Sequence, residues 1–277
     1  MSQYQGSGVD APVDVSVVIP CYNEEAGIAR IGKDLAPALH ELCVGHSVEV
    51  VFVDDGSTDG TWTALKTLAA SPLHGARVVL QQHDRNRGLG AALRTGFAVC
   101  QGDIIVTTDS DATYRFTEIP ALVSRLAPDV AIVTASPYHP LGQVAGVPRY
   151  RLVLSRGSSL IYRTLVSRGI YTYTSLFRAY RAEVIRRVSF ESDGFLAVAE
   201  LLVNALFLGY RIAEYPTVLH SRVAGTSKAK LVRTIIAHLR FQFGIILRRL
   251  GIGPRPAPAM ATHAEWPRSG VKSHRFL

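Results

Sequence analysis

The sequence predicts an α/β fold, with a parallel sheet wrapped by helices on both faces. Four short apolar runs, at 15–19, 48–53, 78–80 and 104–108, alternate with segments of helical periodicity. That order builds a parallel sheet through crossover helices. Three of the four runs end in polar or acidic residues, which suits the carboxyl edge of such a sheet, where ligands bind. With 277 residues, 48% of them hydrophobic, the chain can bury a full core as one large domain with appendages.

Taken in order, residues 1–13 are rich in Gly, Ser and Gln and are expected to be loose. The first strand, 15–19, is stopped by Pro20, which has no N–H for a ladder. A helix is expected over 26–42, interrupted at Pro37. The second strand, 48–53, closes on Asp54-Asp55-Gly56-Ser57-Thr58-Asp59-Gly60. Thr58 or Asp59 can cap a helix over 61–70. The third strand covers 78–80, a helix over 91–100 follows a glycine-bearing loop, and the fourth strand is 104–108. Beyond it, a strand at 132–134 leads into a long loop with Pro137, Pro140 and Pro148. Helices are expected over 152–166 and 192–208, and a strand over 211–219. The main domain is expected to span 14–227.

From Lys228 to Leu250 the chain turns basic. Val232, Ile235, Ile236, Leu239, Phe243, Ile246, Leu247 and Leu250 recur at helical spacing, with Lys230, Arg233, Arg240 and Arg248 on the other side. Such a helix either lies in a membrane interface, its cations toward anionic headgroups, or packs on protein. Residues 251–277, rich in Pro and Ala, are expected to be disordered.

The formal net charge is +8, which suits an anionic partner: nucleic acid, acidic lipid or a phosphorylated substrate. No nucleic-acid motif accompanies it. Three cysteines, Cys21, Cys43 and Cys100, lie far apart without metal spacing, so a reducing compartment is expected. The first fifteen residues lack the pattern of a signal peptide. No run approaches the roughly 18 apolar residues of a membrane span.

Asp109 and Asp111 follow the fourth strand one residue apart. Two carboxylates in one crevice are costly unless a cation sits between them. Mg²⁺ takes one or two carboxylates together with substrate phosphates and water, so the pair points to a metal–diphosphate site. An isolated Asp-x-Asp is equally at home in a solvated turn. Asp54 and Asp55, as acceptors only, suit ribose hydroxyls or a base N–H, or a tight turn and helix cap. Pro20-Cys21-Tyr22-Asn23-Glu24-Glu25 offers a ring for stacking and another acceptor. Arg87-Gly88-Leu89-Gly90-Ala91-Ala92 superficially matches a dinucleotide fingerprint. It lacks the third glycine and lies too far past its strand for that role.

Together, and in this order, Pro20-x-Tyr22-Asn23-Glu24, Val53-Asp54-Asp55-Gly56-Ser57-Thr58-Asp59-Gly60-Thr61 and Asp109-x-Asp111 resemble the family 2 glycosyltransferases. The later strings are similar to dolichyl-phosphate mannose synthases and related polyprenyl-phosphate sugar synthases. They are Ser155-Arg156-Gly157, Phe177-Arg178-Ala179-Tyr180-Arg181, Glu200-Leu201-Leu202, Gly209-Tyr210-Arg211-Ile212 and Arg222-x-x-Gly225-x-Ser227-Lys228. The resemblance covers roughly 14–230. It implies the GT-A fold, with a mixed, mainly parallel sheet, and an inverting hexosyltransferase that uses Mg²⁺ or Mn²⁺.

By that resemblance Pro20, Tyr22, Glu24, Val53 and Asp55 hold the nucleoside of a GDP- or UDP-hexose. Asp109, Ser110 and Asp111 meet the diphosphate, the two carboxylates through the metal. Arg222 and Lys228 close over the donor, and Arg156 receives the acceptor phosphate. The implied acceptor is a polyprenyl phosphate, reached by peripheral contact at the cytoplasmic face of a membrane. Alternatives are a soluble or glycan hydroxyl acceptor, or a nucleotide-binding subunit without turnover. A hydroxyl acceptor needs a base, for which Glu200 is the first candidate and Asp193 the second. A structural, ion-paired role for Glu200 stands beside this, with Arg178 and Arg181 as possible partners of such acids.

Two strings depart from the subfamily. Asp-Ala-Asp-x-Gln-His-Pro becomes Asp109-Ser110-Asp111-Ala112-Thr113-Tyr114-Arg115, which loses a polar group near the metal or replaces it by Thr113. Gly-Thr-Arg-Tyr becomes Ala135-Ser136-Pro137-Tyr138, without its arginine. Arg149 or Arg151 would have to compensate.

Overall fold

The four apolar runs are strands, largely buried at 15–19, 48–53 and 104–107 and only partly buried at 78–80, which lies at the sheet edge. The computed structural model describes residues 12–71, 73–111, 113–221 and 228–252. In chain order the first half runs β1 (Val15–Cys21), α1 (Glu25–Cys43), β2 (Val48–Asp54), α2 (Thr61–Ala69), β3 (Arg77–Gln82), α3 (Leu89–Val99) and β4 (Ile104–Thr107). A single 3-10 turn, Phe116–Glu118, leads into α4 (Ile119–Ser124). The second half is β5 (Ile132–Ser136), β6 (Gln143–Ala145), α5 (Arg149–Leu165), β7 (Arg178–Arg181), α6 (Ala182–Arg187), α7 (Leu196–Phe207), β8 (Ile212–Pro216), β9 (Val218–His220) and α8 (Lys228–Arg249).

The main sheet has the order β3-β2-β1-β4-β7-β5-β8, and β6 pairs with β9 in a separate ribbon. β7 runs antiparallel to both of its neighbours, and the other pairings are parallel. Successive strand residues face opposite sides. Val18, Val51 and Val53 therefore join one core with α3 and α7. Val17, Ile19, Val50 and Phe52 join the other, with Ile28, Ile31, Leu35 and Leu39 of α1.

Several expectations are corrected. Pro37 does not interrupt α1. The ring removes one hydrogen bond, but Leu35, Ala38, Leu39 and Leu42 stay buried on either side of it. The strand expected over 211–219 is split, β8 in the main sheet and β9 in the ribbon. β7 carries two arginines among four residues and has no strand-like apolar pattern, yet it fills the gap between β4 and β5.

α8 turns its apolar stripe away from the protein. Val232, Ile236, Leu239, Phe243, Ile246 and Leu250 are exposed. The face turned inward carries His238, Gln242 and Ile245, all buried. His238 Nδ1 lies 2.9 Å from the Tyr162 hydroxyl, and Gln242 Nε2 donates to Ser158 O at 3.4 Å. A polar seam thus fastens α8 to α5, and the apolar stripe is left outside.

Burial pushes the His238 imidazole down from 6.5 to about 4. Between those two values the unfolded chain binds the proton that the fold refuses, so stability falls as pH drops through that window. Thermal unfolding at pH 7 and pH 5 should show a loss of Tm on acidification that is smaller in His238→Asn; equal losses would remove His238 as the cause.

Candidate active site at the carboxyl edge of the sheet

The register of β1 on β2 sets Pro20 beside Val53 and Cys21 beside Asp54, so the loops that follow them emerge together. They lock by side chain to main chain. Asn23, at φ 54°, accepts the Thr58 N–H at 2.9 Å on Oδ1, and its own N–H donates to Ser57 Oγ at 2.9 Å. The Glu24 N–H donates to Thr61 Oγ1 at 2.7 Å, and Glu25 Oε2 accepts from Gly60 N–H at 2.9 Å. Pro20, Tyr22 and Glu24 are half-buried along this seam. Val53 differs: its side chain is fully buried in the core beneath. Only its main chain is therefore placed to take part in the expected nucleoside contact.

The paired aspartates divide their work. Asp54, fully buried, accepts Ser57 N–H at 3.0 Å and Gln82 Nε2 at 3.1 Å, which shapes the turn. Asp55 gathers the loop after β3: Oδ1 meets His83 Nδ1 at 2.7 Å and Arg87 N–H at 2.8 Å, and Oδ2 accepts Gly88 N–H at 2.8 Å. Gly56, at φ +65°, lets the Arg85 main chain approach so closely that an added Cβ would lie 2.1 Å from it.

β4 delivers Asp109 and Asp111 to the same edge, both half-buried around a buried Ser110. Thr108 N–H donates to Val18 O at 3.2 Å and anchors the turn on β1. Asp111 Oδ1 accepts Thr113 N–H at 3.1 Å, and Thr113 O accepts His220 N–H at 2.9 Å. The end of β9, from which the chain continues toward Arg222, thus lies against the acidic turn. Arg222 itself is outside the described residues, and Lys228 opens α8. Among the described residues no three His, Cys, Asp or Glu side chains are placed to cage a metal. Two carboxylates on an open edge fit Mg²⁺ or Mn²⁺ held jointly with substrate oxygens and water.

Next to this pair is a cavity of about 140 Å³ lined by Asp109, Thr113, Tyr114, Tyr138, Ser155 and Thr174, with Phe195 at its side. Burial, and to a smaller degree the Asp109 carboxylate, pushes the Tyr114 phenol well above its ordinary value, so it stays a neutral hydroxyl. Arg156, exposed, lays its guanidinium 5.2 Å from the Tyr138 ring centroid. Arg156 does not itself line the cavity; it lies over Tyr138, which does, and follows Ser155, which also does. Arg149 and Arg151, in the first turn of α5, do not line it.

Arg178 is fully buried. It donates to Thr134 Oγ1 at 3.0 Å, Val198 O at 2.5 Å and Tyr173 O at 2.8 Å. Arg181 donates to the carbonyls of Leu126, Ala127 and Val130. Neither arginine pairs with Glu200 or Asp193 among the described salt bridges, which corrects that expectation. Main-chain oxygens do the work, and no side-chain pattern reveals them. Arg178 is thus a buried cation held by protein oxygens, and it does not itself line the cavity.

Glu200 is not brought to the cavity. Val198 lines it, and two residues on along an α-helix a side chain falls on nearly the opposite side. Both Glu200 oxygens hold main-chain donors, Glu191 N–H at 3.1 Å and Ser192 N–H at 3.0 Å. Asp193 pairs with Arg94, and its carbonyl accepts Gly90 N–H at 2.6 Å. The glycine pair that mimicked a dinucleotide motif has its reason here. An added Cβ would lie 2.4 Å from Asp193 O at Gly88 and 1.9 Å from Ser192 O at Gly90. The functional features that sequence reasoning missed are His83, Phe195 and the hydroxyl lining. Only the position of His83, just past a strand's carboxyl end, could have flagged it.

The model of the family described as Glycosyl transferase family 2 matches residues 16–189. The chain is similar to polyprenol monophosphomannose synthase of Mycolicibacterium smegmatis, 32% identical over 81% of this chain and 86% of that one. It is also similar to dolichol-phosphate mannosyltransferase of Pyrococcus furiosus, 31% identical over 82% of this chain. The match spans 62% of that relative's length. Among solved structures it superposes on glucosyl-3-phosphoglycerate synthase from Mycobacterium tuberculosis in complex with Mg²⁺ and UDP. That TM-score is 0.60 at 25% identity, covering 87% of this chain and 81% of the other.

Glu200→Gln places an amide NH₂ against one of the two loop N–H groups. A buried donor left unsatisfied costs about 1–3 kcal/mol, so denaturant unfolding should show a loss of that order; an unchanged midpoint would mean that the Glu200 carboxylate does not hold the loop.

Proposed function

The chain belongs to glycosyl transferase family 2, and on that premise we propose that it transfers a hexose from a nucleotide sugar to a polyprenyl phosphate, inverting the anomeric centre. Its architecture is the GT-A fold that the motifs imply. The observation that supports the reading is the cavity lined by both Asp109 and Tyr138, with the Arg156 guanidinium over the Tyr138 ring. The names of the similar proteins, a polyprenol monophosphomannose synthase and a dolichol-phosphate mannosyltransferase, support the acceptor class.

In this mechanism Pro20, Tyr22, Glu24 and Asp55 hold the nucleoside. Asp109 and Asp111 would hold Mg²⁺ or Mn²⁺, with Ser110 beside the diphosphate. The bound ion supplies charge stabilisation to the leaving nucleoside diphosphate. Arg156 orients the acceptor phosphate, an oxygen of which attacks the anomeric carbon as the bond to the diphosphate breaks. The electron pair leaves on the diphosphate oxygen, toward which Arg222 and Lys228 bring positive charge. A phosphate acceptor is already anionic near neutral pH, so no base is required. Glu200, engaged by two backbone N–H groups, acts as a loop anchor.

Membrane contact is part of the same proposal. No helix among the described residues is long and apolar enough to cross a membrane. The exposed stripe of α8, from Val232 to Leu250, is flanked by Arg233, Arg240, Arg248 and Arg249, and neither α5 nor α8 contains an acid. That is the chemistry of an interfacial helix on anionic lipid.

Incubation with labelled UDP- and GDP-hexoses, Mg²⁺ and a polyprenyl phosphate should move label into an organic extract. Label found only on a water-soluble acceptor would overturn the lipid assignment. Asp109→Ala and Asp111→Ala should each abolish metal-dependent transfer, and an unaltered rate in either would reject the metal site. Leu239→Glu with Phe243→Glu changes only exposed side chains and should release the protein from phosphatidylglycerol vesicles in sedimentation. Retained binding would remove α8 from the contact.

A further inference from the structure

We infer that His83 is a positioning residue for nucleoside recognition: with Thr95 it fixes the carboxylate of Asp55 and, through it, the loop 84–88 that walls the donor site. The inference rests on the proposed reading of Asp55 as a nucleoside ligand, and it adds the group that aims that ligand.

His83 is buried, 6% exposed, at the first position past β3. Its N–H donates to Asp54 O at 2.9 Å, which ties the residue to the end of β2. Nδ1 lies 2.7 Å from Asp55 Oδ1, and Nε2 lies 2.8 Å from Thr95 Oγ1 on α3. A carboxylate accepts only, so Nδ1 carries the proton toward Asp55. In the neutral ring Nε2 then accepts the Thr95 hydroxyl proton. Both ring nitrogens are used, and the imidazole cannot turn without losing both bonds.

The consequence falls on Asp55. An ionised carboxylate offers about four lone-pair directions. His83, Arg87 N–H and Gly88 N–H take three of them. The direction left is set by those three, and it suits a single N–H donor. Uracil and guanine present a ring N–H on their pairing edge; adenine and cytosine present a ring acceptor there. A carboxylate free to rotate about its last torsion would not discriminate; one clamped by His83 does. The same clamp holds Arg87 and Gly88 in place, and Gly88 in turn packs under the Asp193 carbonyl. Residue 83 thus sets the shape of the wall next to the base.

Two variants separate positioning from packing. The amide of His83→Asn falls near the old Nδ1 and keeps the Asp55 partner. The amide of His83→Gln reaches toward the old Nε2 and keeps Thr95 but not Asp55. Calorimetric titration with UDP and with GDP, each with Mg²⁺, should show Asn close to wild type and Gln weakened about tenfold or more, the loss of about one charged hydrogen bond. In the transfer assay KM for the donor should rise in Gln while kcat is held. Equal affinities in all three proteins would overturn the inference and leave the donor reading intact. So would a loss in both variants that tracks a loss of Tm. Failure of the wild type to bind either nucleotide would overturn the donor reading itself and the inference with it.

Discussion

Carboxylates crowded at one edge of the sheet are the constraint around which the chain is arranged. β2 and β4 end in Asp54, Asp55, Asp109 and Asp111, and acids buried side by side resist ionisation unless donors or cations meet them. The chain meets them in different ways. Asp54 is absorbed by the turn it makes, and Asp55 by an imidazole and two main-chain N–H groups. Asp109 and Asp111 stay half-buried on the turn that follows β4. At the other edge Glu49, fully buried, shows what an acid with no ligand to meet looks like: Ser16 Oγ, Gln101 N–H and Arg77 account for it.

Positive charge is distributed with the opposite bias. Residues 130–182 contain no Asp or Glu but seven arginines, among them Arg156 over the Tyr138 ring and the fully buried Arg178. The chain thus sets acidic turns in its first half against an acid-free, arginine-bearing stretch in its second. The two halves are fastened where Gly88 and Gly90 let α3 touch the Ser192–Asp193 main chain. Glu200 and Arg94 secure that loop from either side.

Much of this was legible in the residues. Strands buried on both faces read as largely apolar runs despite Ser16 and Glu49, so β1, β2, β4 and β5 were evident, and the acidic motifs mark the ends of β2 and β4. What escaped notice was carried by the main chain or by tertiary context. β7 is a strand because β4 and β5 both need a partner, not because Arg-Ala-Tyr-Arg prefers one. Arg178 is satisfied by carbonyls and Glu200 by N–H groups, donors and acceptors that every residue has. The apolar stripe of α8 was read correctly as a stripe, but periodicity alone does not say which face of a helix meets the protein. A His–Tyr–Gln seam settled that. His83 carried no signal beyond its place after a strand.

The reversed strand β7 has a consequence for how the protein is made. A ribosome delivers β1 through β4 long before Arg178–Arg181 appears, and until then the outer side of Ile104–Thr107 has no neighbour. An unpaired strand edge recruits other chains, and half-built sheets are where synthesis and aggregation compete. The growing polypeptide therefore passes through an interval with the Asp109–Asp111 turn attached to an open ladder. The interval closes only when translation supplies the four residues that complete it.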